Sequence, residues 1–484
     1  MSVLLGIDIG TTGTKALLLD SESGVIAEAE RPTQLHSPHP GWAEEDTTKW
    51  WRNVCAVTRE LLESTGIEVA GVGVTGMVPC TIPLDEHGEP LRWSMQQNDA
   101  RSGEQVDDLN RRLAGTRVLE RTGSAITQQS TAPRFLWLAE HEPQVWAATR
   151  TVVGSYDYIT MRLCGSRAVE ANWALETGLL DFAAMDWADD VLEACGGSRD
   201  LLPPVCRCNQ VVGSVTAEAA AQTGIREGTP VVAGTADHIG STFASGVLEE
   251  GDLLVKLGGA GDIMLAVDEP FVDDRLYLDF HLLPGRFVLS GCMATSGSLI
   301  KWFQRELAAG VSLTQLDEEA AGTPPGAGGA ICLPYFLGEK TPINDAEATG
   351  AFVGLQLTQS RGQLFRAVLE GIAFGFRHHL EVFAEHGHRP TRARLTDGGS
   401  RSNVWSQITA DVLGIPLEKV TMRSGSAVAA AFCAGMGVGA FADWRDIDRF
   451  VAVDEVVAPR HFDVYDRNYR AYRGLYPALK GVLE

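Results

Sequence analysis

The chain has 484 residues, beyond the roughly 250 to 300 at which one hydrophobic core stops growing, so at least two domains are expected. Its 45% hydrophobic and 21% charged content is ordinary for a globular protein and excludes global disorder. A net charge of -23, from 63 acidic against 40 basic residues, argues against capture by nucleic acid or anionic lipid and points to a small solute as partner.

The start, Met1 to Gly10, has no basic segment and meets Asp8 before a signal-length apolar run is complete, and no run of about 18 apolar residues follows. A cytoplasmic protein with no membrane partner is expected. Nine cysteines, an odd number spread from Cys55 to Cys433, do not suggest a disulfide framework. Cys206 and Cys208 lack a matching second pair, so no structural metal is expected.

In chain order, Val3 to Ile9 (VLLGIDI), the loop Gly10 to Thr14 (GTTGT), Ala16 to Asp20, a SESG turn and Val25 to Ala29 read as an antiparallel meander. Thr47 to Ser64 places Trp50, Val54, Val57, Leu61 and Leu62 at helical spacing behind an Asp46 or Thr47 cap. Val69 to Thr75 (VAGVGVT) is a strand, giving three strands, a helix and a strand, which marks an α/β domain. Val231 to Thr235 (VVAGT) is a strand that runs into a helix ending near Gly246. The domain boundary falls there, giving domains 1–245 and 246–484. The layout then recurs: Asp252 to Leu257, a second loop Gly258 to Gly261 (GGAG) and Asp262 to Val267. A third Gly turn, Asp397 to Asn403 (DGGSRSN), lies between the strand Ala393 to Thr396 and a helix to Leu413.

A Gly-rich loop between hairpin strands meets phosphates with β-turn N–H groups and hydroxyls rather than with a helix N-terminus. The first loop offers Thr11, Thr12 and Thr14 as donors, Lys15 as a cation and Asp8 at its mouth, although a Gly/Thr hairpin turn is also common without a ligand. The chain has no G-x-x-x-x-G-K-[ST], and neither Gly loop is followed by the helix of a dinucleotide fingerprint, which excludes a Rossmann oxidoreductase. Gly398 and Gly399 would let a flat ring approach the backbone and Asn403 could hydrogen-bond it, but an ordinary βα turn uses the same residues. Asp237, in AGTADHIG, is either a helix N-cap or a carboxylate placed to accept a hydroxyl proton during phosphoryl transfer.

DIGTTGTK, GTADH, LPYFLGEKTP at Leu333 to Pro342 and DGGSRSN, with Gly350 to Glu370 and Thr131 to Pro143, together resemble in order the FGGY family of carbohydrate kinases. The resemblance covers nearly the whole chain. It implies two actin-like (ribonuclease H-like) α/β domains with a catalytic cleft between them, binding of ATP with Mg2+, and phosphorylation of a terminal hydroxyl. Carried onto these residues, it implies that Asp8 helps hold magnesium and that Thr11 and Thr12 contact ATP phosphates with Lys15 beside them. Gly258 and Gly259 would form the second phosphate loop, Gly297 and Lys301 would lie near the nucleotide, Gly399 and Asn403 would flank adenosine, and Asp237 would be the general base.

Within the family, Pro38 to Trp51 (PHPGWAEEDTTKWW) and TAPRFLW are most similar to the xylulokinases. The chain departs from them where the sugar is read. Gly76-Met77-Val78-Pro79-Cys80 replaces G-Q-M-H-G, His238 follows Asp237 where asparagine or glutamine is usual, and Gln97 stands in a tryptophan position. Gly259 stands where threonine is common. Met77, Val78, Gln97, Asp237 and His238 are therefore the expected substrate-binding set. The expected activity is ATP-dependent phosphorylation of a ketopentose, D-xylulose first. The alternatives are ribulose, erythritol, glycerol or gluconate as acceptor, or a non-catalytic actin-like nucleotide switch. A homodimer is compatible with these features.

Overall fold

The computed structural model describes residues 2–421 and 424–483 and divides into two compact units. The first comprises Met1–Gly246, Leu278–Arg286 and Arg423–Phe450; the second comprises Val247–Tyr277, Phe287–Met422 and Val451–Glu484. A division at residues 245 and 246 is linear, whereas the contacts also return two later segments to the first unit.

In the first unit, Val3–Gly10, Gly13–Asp20 and Gly24–Pro32 form the antiparallel meander, and Gly71–Gly76 joins Val3–Gly10 in parallel. The sheet continues through Pro230–Val232 to Val211–Ser214, while Thr235–Ala236 also pairs with Gly71–Gly76. The stretch at 231–235 is thus two short strands. Gly234 interrupts them with φ +91°, where a Cβ would lie 2.0 Å from the Val74 carbonyl oxygen.

The helix Thr47–Thr65 follows the expected chemistry: Asp46 accepts the Thr48 N–H at 2.9 Å, and Gly66 ends the helix in the left-handed region. Its buried side includes Trp50, Val54, Val57 and Leu61. A second helix, Gly425–Val438, contributes a nearly all-apolar surface to this unit and packs on the strands Val3–Gly10 and Gly71–Gly76. A Cβ at Gly6 would lie 2.0 Å from the Ala427 carbonyl oxygen and one at Gly73 2.0 Å from that of Ala430. Two glycines on adjacent strands thus let an alanine-rich helix sit at backbone distance.

In the second unit, the strands Phe287–Met293, Gly261–Val267, Asp252–Leu257, Arg392–Thr396, Leu417–Thr421 and Ala452–Val457 lie side by side in that order. The long helix Arg361–Glu385 begins with a reciprocal cap between Ser360 and Gln363. It is buried over most of its length, and its Arg366–Glu370 pair at 2.7 Å is completed by the Tyr465 hydroxyl, which accepts from Arg366 Nη2 at 2.6 Å. Asn403–Leu413 is the helix expected to end at Leu413; Ser402 caps its start and Gly414 closes it. Among the described residues, no helix is long and apolar enough to cross a membrane.

Candidate functional site

In the first unit, register brings three chain segments to one end of the sheet. Ile9 lies opposite Gly76, and Ala236 lies beside Gly76 from the other side. The first Gly loop, the Met77 turn and Asp237 therefore all emerge from the carboxyl ends of neighbouring parallel strands, the usual ligand position in an α/β sheet. Gly10 pairs with Gly13, so Thr11 and Thr12 form a two-residue turn and are exposed. Thr33 secures this turn, its N–H donating to Thr12 O at 3.1 Å. Lys15 pairs with Asp8 across the hairpin, so both project from the same sheet face. Asp8 is buried and its Oδ2 accepts the Ser426 hydroxyl at 2.8 Å.

Asp237 is not an N-cap. The helix Asp237–Ala244 has Ala236 at that position, and Asp237 is its first helical residue. Its Oδ1 accepts the His238 N–H at 2.7 Å, and its side chain keeps 37% of its surface exposed. An anionic carboxylate in a helix's first turn is stabilised by the helix dipole and remains open to a solute.

Met77 and Val78 are both buried, and the Met77 backbone is engaged at both ends: its N–H donates to Ile9 O at 3.1 Å and its carbonyl accepts the Ser155 hydroxyl at 2.7 Å. Arg134, fully buried in the helix Thr131–His141, staples this turn. It donates to Pro79 O at 3.1 Å, Thr81 Oγ1 at 2.9 Å, Met95 O at 3.3 Å and Gln96 O at 2.8 Å. Burial lowers its pKa to about 10, so it stays charged at neutral pH. Gln97 follows this stapled segment half-buried, and its Oε1 has no hydrogen-bond partner among the described residues. Asp99 and Arg101 play a different part: they pair at 2.7 Å, with the guanidinium 3.6 Å above the Trp42 ring, and thereby lock the Pro38 to Trp51 segment.

His238 lies among three carboxylates. Its Nε2 is 3.4 Å from Asp279 and 3.6 Å from Glu176, and its Nδ1 is 3.7 Å from Asp237. Burial alone would favour neutral imidazole, but Asp279 and then Glu176 outweigh it and raise the His238 pKa well above its ordinary value. Burial also lifts Glu176 to about 8, with the attraction of His238 opposing. Asn172 brings the carboxylates together: it accepts the Phe280 N–H at 2.8 Å and donates to Phe280 O at 3.1 Å, tying residues 278–286 to the helix Ala171–Glu176.

The second unit holds a cavity of about 510 Å³, in the size range of small-molecule sites. Gly258, Gly259, Gly297, Lys301 and Gly399 all line it. The Gly297 N–H donates to Gly258 O at 2.8 Å and that of Ser298 to Gly259 O at 3.0 Å, docking the helix Gly297–Leu307 on the second Gly loop. A Cβ at Gly399 would meet Trp405 at 2.2 Å and Leu257 at 2.6 Å, so only glycine keeps that wall flat. Trp405 lines the cavity, and its buried Nε1 has no hydrogen-bond partner among the described residues. Asn403 does not line the cavity, contrary to its expected place beside the ring. Its Oδ1 accepts from Lys419 Nζ at 3.0 Å, because the first helical turn points it outward, and Ser402 and Trp405 take the lining positions.

Glu176, Asp279, Arg134, Ser426 and Trp405 were not among the expected site residues. No sequence spacing joins positions 176, 238 and 279. Only Arg134 had a signal, as the basic residue within TAPRFLW.

The model of the N-terminal domain of the FGGY family of carbohydrate kinases matches residues 3–244, and that of the C-terminal domain matches residues 264–438. A xylulose kinase structure from Rhodospirillum rubrum is 45% identical, with a TM-score of 0.94 and 99% of each chain covered. The Escherichia coli xylulose kinase is 31% identical over 86% of this chain and 85% of its own. The Escherichia coli L-xylulose/3-keto-L-gulonate kinase is 27% identical over 99% of this chain and 97% of its own.

Proposed function

Since the chain belongs to the FGGY family of carbohydrate kinases, and is thus a phosphotransferase that uses ATP and an alcohol acceptor, we propose that it phosphorylates a ketopentose, D-xylulose to D-xylulose 5-phosphate. The observation that carries this reading is Asp237: a partly exposed carboxylate at the carboxyl end of the first sheet, outside any capping role, beside the first Gly loop and the Met77 turn. The similarity to xylulose kinases along the whole chain supports the substrate.

In this reading, the first unit carries the acceptor and the second the nucleotide, and the protein works in the cytoplasm. Asp237 accepts the proton of the attacking hydroxyl, a role worth about 100-fold or more in rate. Gln97 and His238 hold the sugar with polar groups, and Met77 and Val78 give an apolar wall. Thr11, Thr12 and Lys15 donate to phosphate oxygens, as do the N–H groups of the second loop at Gly258 and Gly259. Gly297, Lys301 and Gly399 shape the nucleotide cavity with Trp405, whose unpartnered N–H and flat setting suit a heterocycle. Asp8, a hard oxygen donor held by Ser426, fits Mg2+. Magnesium bound there would neutralise phosphate charge; the protein's own part is to position acceptor and phosphates and to take up the proton.

The test is sugar-dependent ADP release across D-xylulose, L-xylulose, D-ribulose, L-ribulose, erythritol, glycerol and gluconate, for the native chain and Asp237→Asn. D-xylulose should give the highest kcat/KM, and Asp237→Asn should lose at least about 100-fold with the fold intact. An inert D-xylulose would remove the substrate assignment, and a fully active Asp237→Asn would remove the base.

A further inference from the structure

The cluster around His238 has a geometry that neither the proton acceptor nor the phosphate loops account for. His238 Nε2 faces two carboxylates, Asp279 at 3.4 Å and Glu176 at 3.6 Å, while the other ring edge faces Asp237 at 3.7 Å. The Asp279 side chain is 1% exposed against 20% for Glu176, so Asp279 is the carboxylate that solvent screens least. Three sequence-distant segments are held in place to create this arrangement, with Asn172 bonded to both the N–H and the carbonyl of Phe280.

Resting on the reading of Asp237 as the base at the acceptor site, we propose that Asp279 is a positioning residue: it holds His238 as a fixed imidazolium whose Nδ1 edge faces Asp237, with Glu176 closing the cluster from the other side. Two consequences follow from general chemistry. An imidazolium donates from both nitrogens and accepts at neither; with Nε2 turned to Asp279, the Nδ1–H, whose distance of 3.7 Å from Asp237 is too long for a hydrogen bond, is the donor that would recognise an oxygen lone pair of a hydroxyl or a ketone. The same ring also sets a charged group 3.7 Å from Asp237, so a change in ring charge is felt at the base as well as at the sugar.

The titratable groups facing His238 are Asp237 from its own helix, Glu176 from the helix Ala171–Glu176 and Asp279 from residues 278–286, and Glu170 in turn acts on Glu176. Burial raises the Glu176 pKa, with the attraction of His238 opposing. Asp279, nearer to the ring nitrogen and less screened, is its stronger neighbour. The two carboxylates should differ on substitution: Asp279→Asn removes the nearer and less screened partner of the ring, Glu176→Gln the farther and more exposed one.

The test follows the ring by NMR, with the His238 signals assigned by their loss in His238→Asn, alongside steady-state kinetics. In the native protein His238 should stay doubly protonated through neutral pH, with its midpoint above that of an ordinary histidine. In Asp279→Asn it should titrate below pH 7, and kcat/KM for the sugar should then fall as pH rises through that new midpoint, because the charged ring is the competent form. The sugar KM should rise at least tenfold while the ATP KM changes less than twofold, Asp279→Glu should recover most of the loss, and Glu176→Gln should raise the sugar KM less than Asp279→Asn does. A native His238 midpoint below pH 7, or an Asp279→Asn protein with the native sugar KM and pH profile, would overturn the proposal. The native titration needs no active variant: if Asp279→Asn does not fold, that titration decides. If no sugar is turned over, the kinase reading of the site fails on its own, while the ring's charge still decides this one.

Discussion

Ser426 donates a hydrogen bond from its hydroxyl to Asp8 Oδ2 at 2.8 Å across 418 positions of sequence. The bond exists because the helix Gly425–Val438 returns to the first sheet, resting on Gly6 two residues before Asp8. The carboxylate expected to hold magnesium is thus oriented by a residue far along the chain.

Ser426→Ala should lower turnover about tenfold, since a hydrogen bond to a charged group contributes about 1.5–3 kcal/mol. More magnesium should be needed for half-maximal rate, with the sugar KM unaffected. A magnesium titration of kcat checks this, and an unchanged curve would show that Asp8 does not depend on Ser426.

Gly399→Ala should raise the ATP KM about tenfold while leaving the sugar KM alone. Its Cβ would sit 2.2 Å from the Trp405 ring and 2.6 Å from Leu257, and relieving such an overlap costs about 1–3 kcal/mol. Stabilisation of the fold by added ATP, read as a Tm shift, should shrink accordingly. A normal ATP-induced shift would place the nucleotide elsewhere.

Arg134→Met should destabilise the first unit by about 3–5 kcal/mol, because three backbone carbonyls and the Thr81 hydroxyl lose a buried charged donor. For a domain of this size that lowers Tm by roughly 10 °C. Arg134→Lys should recover only part, since one ammonium cannot reproduce the planar fork. Thermal denaturation of both variants tests this, and a Met variant as stable as the native protein would contradict it.

His379 gives a pH dependence with a definite sign. It is fully buried, its Nδ1 lies 2.9 Å from Gly375 O and its Nε2 lies 3.0 Å from Thr341 Oγ1, and burial lowers its pKa from 6.5 to about 4. Between these values the unfolded chain binds a proton that the folded chain does not, so the stability contributed by neutral His379 is complete above pH 6.5 and is lost as pH falls toward 4. The loss should be of the order of 1–3 kcal/mol. Denaturant unfolding of the native chain and His379→Gln across pH 4 to 7 should show a shallower acid limb in the variant, and equal slopes would mean that His379 does not titrate there.

The sequence by itself determined the parts whose causes are local. Asp46 and Gly66 bound one helix, and Ser402 and Gly414 another, because caps act within a few residues. The two Gly loops lie between hairpin strands, as short apolar runs punctuated by turn residues predict, and the FGGY motifs were legible because each is contiguous. What only the tertiary structure decided are contacts between segments that no spacing links. Asn403 carries a family motif, yet its side chain turns away because helix geometry sets its direction. Asp237 escapes the capping role that its neighbourhood suggests because the helix begins at Asp237 itself, with Ala236 at the cap. Glu176, His238 and Asp279 meet, and Ser426 reaches Asp8, only because sheet register and close helix packing bring these segments together. Buried charges interact with strength set by distance and burial, and sequence separation carries neither quantity.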